Sequence, residues 1–225
     1  MRSLLLFSPD HRRSFVDALS SGAEAILLRP GDAAGMTRDE ALIYVRRLIE
    51  SARGREHPRL LVEIASMRDA GAQDELAGLV IAGLDGVVLP ACEGRADVQQ
   101  LSQRLAVMEA AADLPAGAVK IVALAAQTPA GVFALGDYRG ASSRLAALAM
   151  DEAPLPGGAA ARTAARTLLA LGAAAAGALA LDISPSTRGN ALEDACRAIR
   201  REGFSGLMTA SAGEIPVINR AFGAS

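Results

Sequence analysis

One short pattern occurs four times along the chain, and it limits the possible folds more than any other feature. "SGAEAILL", "AGLDGVVL", "AGALALDI" and "EGFSGLMT" each pair a glycine with a following apolar residue and then open an apolar run. Gly22, Gly83, Gly177 and Gly203 fit the position just past a helix C-terminus, where a left-handed backbone suits glycine. The apolar residue after each can tuck under the helix end. The pattern is therefore a helix-to-strand joint. Eight short runs carry the strand signal: Ser3–Phe7, Ala25–Leu28, Leu60–Ile64, Gly86–Leu89, Lys120–Ala125, Leu145–Met150, Ala178–Ile183 and Gly206–Thr209. They are continuous rather than alternating, as expected of parallel strands buried on both faces. Helical spacing fills the gaps at Asp10–Ser20, Thr37–Arg53, Ala72–Ala82, Asp97–Ala112, Ala159–Ala176, Gly189–Glu202 and Ala212–Ala221. Thr37 with Glu40 has the form of a capping box. Eight strands alternating with helices predict a (β/α)8 TIM barrel, one domain over residues 1–225. An open doubly wound sheet is the rival, but the first strand runs into "FSPDHRR" without a glycine-rich phosphate loop.

Composition narrows the classes of function. Aromatics are 3% of the residues, Trp is absent, and the net charge is -2 with no long run of one sign. Nucleic-acid binding and a polybasic membrane contact are disfavoured. Arg162 and Arg166 break the most apolar stretch, residues 158–181, and no run approaches the ~20 residues of a membrane span. The Ala-rich "LLALGAAAAGALAL" reads as close helix–strand packing. Cys92 and Cys196 lack metal or CxxC spacing, so reduced thiols and a cytoplasmic location are expected. The N-terminus lacks a signal-peptide shape.

At "ILLRPGDAAG", residues 26–35, an apolar run stops and Arg29, Pro30, Gly31 and Asp32 follow at once. In a barrel this is the C-terminal end of a strand, where chemistry sits. A plain turn fits equally, with Asp32 accepting backbone N–H groups.

"RSLLLFSPDHRRSFVDALSSGAEAILL", "AGLDGVVLPACEGRADV" and "GFSGLMTASAGEIPVINRAF" resemble the citrate lyase β-subunit and malyl-CoA lyase group of the HpcH/HpaI aldolases, across nearly the whole chain. The resemblance implies the same barrel, commonly in trimers or hexamers. It also implies Mg²⁺-dependent cleavage or formation of a C–C bond in a keto acid or acyl-CoA thioester. There a divalent ion held by two carboxylates stabilises the enolate, and an Arg grips the substrate carboxylate.

The likeness fails at the positions that would do this work. Where the group has an "ILDLEDAV"-like segment, Arg29 and Gly31 replace the acids and Asp32 remains. The substrate Arg falls at Glu63, and the Lys after "VLP" at Ala91. The first metal carboxylate falls at Gln127. The second falls near Ala153, with Asp151 and Glu152 just before it. "HPSQ" has become "SAGE", Ser211 to Glu214, and no counterpart of the group's C-terminal lid extension is expected. The candidates are therefore Asp32 and Asp182 as catalytic acids, Arg29, Glu63 and Gln127 as substrate contacts, and Asp151 and Glu152 as metal ligands. Each has a bland alternative: a turn acid for Asp32, a turn or cap for Asp182, a hydrogen-bonded core amide for Gln127, and solvated loop acids for Asp151 and Glu152. Glu63 sits in an apolar strand and needs a partner, which Arg29 on the neighbouring strand end can supply. His11 and His57 read as surface residues. Two functions remain open: a C–C lyase, with Mg²⁺ and a keto acid or acyl-CoA ligand, or a catalytically inactive homologue serving as a structural or regulatory subunit. A homo-oligomer is expected in either case.

Overall fold

The computed structural model describes residues 1–9, 14–32, 35–54, 56–69, 72–151, 155–185, 187 and 189–223; of Asp32, Ala72, Gln73 and Asp74 only the backbone is described. The strands β1 (Ser3–Phe7), β2 (Ala25–Leu28), β3 (Arg59–Glu63), β4 (Gly86–Leu89), β5 (Lys120–Leu124), β6 (Leu145–Ala149), β7 (Leu179–Ile183) and β8 (Gly206–Thr209) follow the apolar runs. They are all parallel and pair in chain order, and β8 returns to β1 to close the barrel. The helices are α1 (Phe15–Leu19), α2 (Arg38–Ala52), α3 (Ala72–Leu79), α4 (Arg95–Ala111), α5 (Pro129–Phe133), α6 (Gly158–Ala176), α7 (Asn190–Arg201) and α8 (Ile215–Gly223). The chain is a (β/α)8 barrel.

Alternation along each strand splits the core in two. Leu4, Leu27, Leu61, Val88, Val122, Leu181 and Met208 point inward and fill the barrel. Their neighbours, such as Leu28, Val62, Val87 and Ala180, point outward and pack beneath the helices. Closure brings backbones very near each other. A Cβ on Gly206 would stand 2.4 Å from the Arg2 carbonyl oxygen, so only glycine fits at the head of β8.

All four joint glycines have positive φ: 76° at Gly22, 99° at Gly83, 68° at Gly177 and 99° at Gly203. Ala23, Leu84 and Phe204 after them are buried, and Ala178 is half-buried. The Thr37–Glu40 capping box forms in full.

Several boundaries differ from expectation. The first helix begins at Phe15, capped by Ser14, and the predicted Asp10–Arg13 lie outside the described residues. The fourth starts at Arg95 rather than Asp97. A short helix that sequence spacing did not suggest, α5, opens at Pro129 with the Thr128 hydroxyl accepting from Gly131 N–H. The last helix is preceded by a 3-10 turn, Ala212–Glu214, before Ile215. Among the described residues, no helix is long and apolar enough to cross a membrane.

Candidate functional site

The C-terminal ends of the strands open onto a cavity of about 650 Å³. Its floor is the top layer of inward side chains, including Leu6, Leu27, Leu124 and Met208. Its polar wall holds Arg29, Glu63, Asp151, Ser184, Thr209, Ser211 and Glu214. Among these described side chains stand one guanidinium and three carboxylates, a formal excess of negative charge.

On the β2–β3 side, Arg29 Nε donates to Glu63 Oε2 at 3.0 Å. Arg29 follows β2 directly and Glu63 ends β3, and β2 pairs with β3 in register. Adjacent parallel strands of equal height deliver the two groups to each other. The side chains are 29% and 19% exposed, so the pair stands at the cavity wall in partial contact with water.

The tops of β4, β5 and β6 are tied together through Gln127. Its Oε1 accepts from the Ala91 backbone N–H, and its Nε2 donates to Asp151 Oδ2. Backbone N–H can only donate, so the amide oxygen must face Ala91 and the NH2 must face Asp151. A cation between Gln127 and Asp151 would need lone pairs from both, but Gln127 turns N–H toward that space. Among the described residues, no group of three or more His, Cys, Asp or Glu has the arrangement to hold a metal ion. Glu152 lies outside the described residues. The described side chains do not fit the ion that the resemblance implies.

Next to this link, Thr128 donates its hydroxyl to Glu93 at 2.8 Å, and Glu93 pairs with Arg68 at 2.7 Å. Ala91 itself has φ of 47°, a left-handed conformation that a residue with a Cβ rarely takes.

Asp182 lies elsewhere. It is 1% exposed and points outward from β7, beneath α6. Arg166 stands 3.1 Å and Arg162 3.8 Å from its carboxylate, and Ile183 N–H donates to Oδ1 at 2.9 Å. Burial pushes its carboxyl up, against the pull of Arg166, the Ile183 N–H and Arg162. Arg162 also donates to the Asp151 carbonyl at 2.8 Å. Strand alternation is the reason for this placement, since Leu181 and Ile183 take the inward positions and leave Asp182 to the helix side. Asp32 ends the 3-10 turn Pro30–Asp32. His57 sits at the opposite, N-terminal rim beside Pro58 and Arg59, and His11 is outside the described residues.

The structure also adds wall residues that sequence reasoning did not single out. Glu214 Oε2 accepts from Ser184 Oγ at 2.6 Å and from Thr209 Oγ1 at 2.7 Å. Thr209 is the last residue of β8 and Ser184 the first after β7. A search of the C-terminal strand ends for paired hydroxyls and acids would have found them. Both cysteines are free and buried. Burial pushes the Cys92 thiol up, and the Cys196 thiol up to about 11, which keeps both protonated at neutral pH.

No family model matches the sequence, and no curated protein matches it. Solved structures do. RipC from Yersinia pestis superposes with a TM-score of 0.76 at 18% identity, over 100% of this chain and 95% of that one. Malate synthase from Haloferax volcanii, in complex with magnesium and glyoxylate, gives 0.80 at 16%, over 98% and 74%. The citrate lyase β subunit of Mycobacterium tuberculosis, complexed with oxaloacetate and magnesium, gives 0.69 at 20%, over 98% and 96%. At these identities the likeness establishes a shared barrel fold.

Proposed function

We propose that this chain is a barrel of the citrate lyase β and malyl-CoA lyase kind that no longer performs Mg²⁺-dependent C–C cleavage and serves as a structural or regulatory subunit. The observation that carries this is the orientation of Gln127. Its amide links Ala91 to Asp151 and occupies internally the bonds that a cation would need. Two further features support it. Arg29, the one guanidinium on the described cavity wall, is engaged by Glu63. The carboxylate excess on that wall opposes an anionic keto acid or acyl-CoA carboxylate. In this account Arg29 and Glu63, and Gln127 and Asp151, are tied to each other at the mouth, Asp32 serves the turn after β2, and Asp182 anchors α6 through its two arginines.

A second account keeps a lyase, with a rearranged Mg²⁺ site around Gln127, Asp151 and Glu152 and Asp32 as catalytic acid; Asp182, buried beneath α6, has no part in it. It rests on Asp151, which lines a cavity large enough for a keto acid. The solved neighbours that contain magnesium with glyoxylate or oxaloacetate suggest the ligand class. Incubation with malyl- and citramalyl-type thioesters and Mg²⁺ separates the two. The first predicts no keto product above a heat-treated control, and turnover that disappears on chelation establishes the second. Either account is compatible with a cytoplasmic homo-oligomer.

A further inference from the structure

The last two helices of the barrel, α7 and α8, enclose a cleft of about 700 Å³ lined by Glu193, Arg197, Arg200, Arg201, Arg220 and Ala221. It shares no residue with the cavity at the mouth. Arg200, Arg201 and Arg220 lie in the last turns of their helices, which run back toward the N-terminal rim. A Cβ on Gly223, at the end of α8, would stand 2.7 Å from the guanidinium of Arg2, just ahead of β1. Glu193, Arg197 and Arg201 follow at four-residue steps and share one face of α7. The charges in the cleft are unevenly answered. Arg197 is bonded to Glu193 and stands 3.5 Å from Asp194, which lies outside the lining. Arg200 donates to the Ala221 carbonyl at 3.1 Å. The Arg220 side chain, 66% exposed, is 3.8 Å from Glu193, too far for a hydrogen bond. Among the described residues, Arg201 makes no ion pair or side-chain hydrogen bond.

We propose that this cleft binds the phosphoryl group of a small phosphate monoester, with the Arg201 and Arg220 forks as its direct donors and Arg197 and Arg200 as flanking charge. Helix dipoles favour cations in these last turns, but Arg200 alone meets the Ala221 carbonyl, and the other three guanidiniums exceed that need. Setting Glu193 and Asp194 against the four arginines leaves two positive charges. A phosphate monoester carries about −1.5 to −2 at neutral pH and balances them. A carboxylate or a phosphodiester, with a single charge, does not. Planar guanidinium forks also suit phosphoryl oxygens, which accept in pairs. The cleft has the size of a small-molecule site, and the apolar stems of the arginines with Ala221 leave room for a short aliphatic body. None of the lining residues is aromatic, so a nucleotide base finds nothing here to stack on. Binding in the cleft is independent of the mouth cavity and of any lyase activity.

Calorimetric titration of glycerol phosphate into the full chain tests the proposal, with inorganic phosphate and dimethyl phosphate as comparisons. Saturable binding of glycerol phosphate is expected, at least about tenfold tighter than that of dimethyl phosphate, whose phosphoryl group carries one charge. Inorganic phosphate should bind as well: with equal affinity if the phosphoryl group alone is read, more weakly if the ester body adds contacts. The double variant Arg201→Ala with Arg220→Ala should weaken binding at least about tenfold. Arg47→Ala with Arg139→Ala, which removes two exposed arginines elsewhere, should leave it unchanged. No saturable binding of either phosphate, equal binding of the diester, or equal losses in the two double variants would each overturn the proposal. Binding of a phosphoserine peptide without binding of glycerol phosphate would assign the cleft to a protein partner and overturn it as well.

Discussion

Two Arg–Glu pairs stand at opposite ends of the barrel and differ in almost every physical respect. At the N-terminal end, Arg144 and Glu109 are 7% and 1% exposed. Both nitrogens of the Arg144 fork reach Glu109, which also accepts from Gly117 and Val119 N–H at 2.9 and 2.8 Å, while Arg144 donates to the Val119 carbonyl at 3.2 Å. At the mouth, Arg29 Nε donates to Glu63 at 3.0 Å beside an open cavity, and the two side chains are several times more exposed. The first pair locks α4 to the starts of β5 and β6. The second lines the wall of the cavity at the C-terminal ends of the strands. Similar charges thus form a dry scaffold contact at one end and part of a water-accessible cavity wall at the other, and burial separates the two settings.

The largest expected effect comes from breaking the buried pair. Arg144→Ala leaves Glu109 without its cation in a dry place and should cost about 3–5 kcal/mol, read from denaturant or thermal unfolding. A loss under about 1 kcal/mol would mean that water or another group replaces the guanidinium, and the scaffold role would fail.

Glu63→Ala should cost less, about 1 kcal/mol, because water reaches the mouth pair. The exchange Arg29→Asp with Glu63→Arg should recover most of the loss. Additive single effects in a double-mutant cycle would show that the two side chains do not interact in solution.

The buried pair should also respond to acid. Burial raises the pKa of Glu109, but the Arg144 bonds and the Val119 and Gly117 N–H groups outweigh it and hold the carboxyl below its usual value. A depressed folded pKa gives stability that is present above the unfolded value, near pH 4.3, and is lost as pH falls through the folded one. The Tm gap between wild type and Glu109→Gln should therefore narrow below about pH 4. A gap that stays constant into that range would contradict the pairing.

The smallest effect belongs to a pair on the open surface. Arg46 and Glu50, one turn apart on α2, are 45% and 42% exposed, and Arg46→Ala should shift stability by no more than about 0.5 kcal/mol.

The same contrast explains what could be read from the sequence. The joints and strands were legible because they rest on local requirements: positive φ at Gly22 and Gly203, and continuous apolar runs for strands buried on both faces. The Arg29–Glu63 contact was legible because consecutive strands are neighbours and a lone acid in an apolar strand needs a partner. The direction of Asp182 was not, since a one-residue difference in strand phase moves a side chain from the mouth to the helix layer. The Ser184–Thr209–Glu214 cluster was missed because its members come from three separate segments and meet only when the barrel closes. The link through Gln127 needed the Ala91 N–H, a backbone group with no mark in the sequence.

Gln127 makes its hydrogen bonds inside the protein, where a cation would need a ligand. Calorimetric titration of Mg²⁺ and Mn²⁺ into the chain, with and without oxaloacetate, tests it most directly, with Gln127→Glu as the comparison. The account predicts no saturable heat for the wild type up to millimolar metal, and tighter binding in Gln127→Glu, where a second carboxylate replaces the amide NH2 beside Asp151. Stoichiometric binding by the wild type at micromolar metal, weakened by Asp151→Asn, would contradict it and establish a metal site in the mouth.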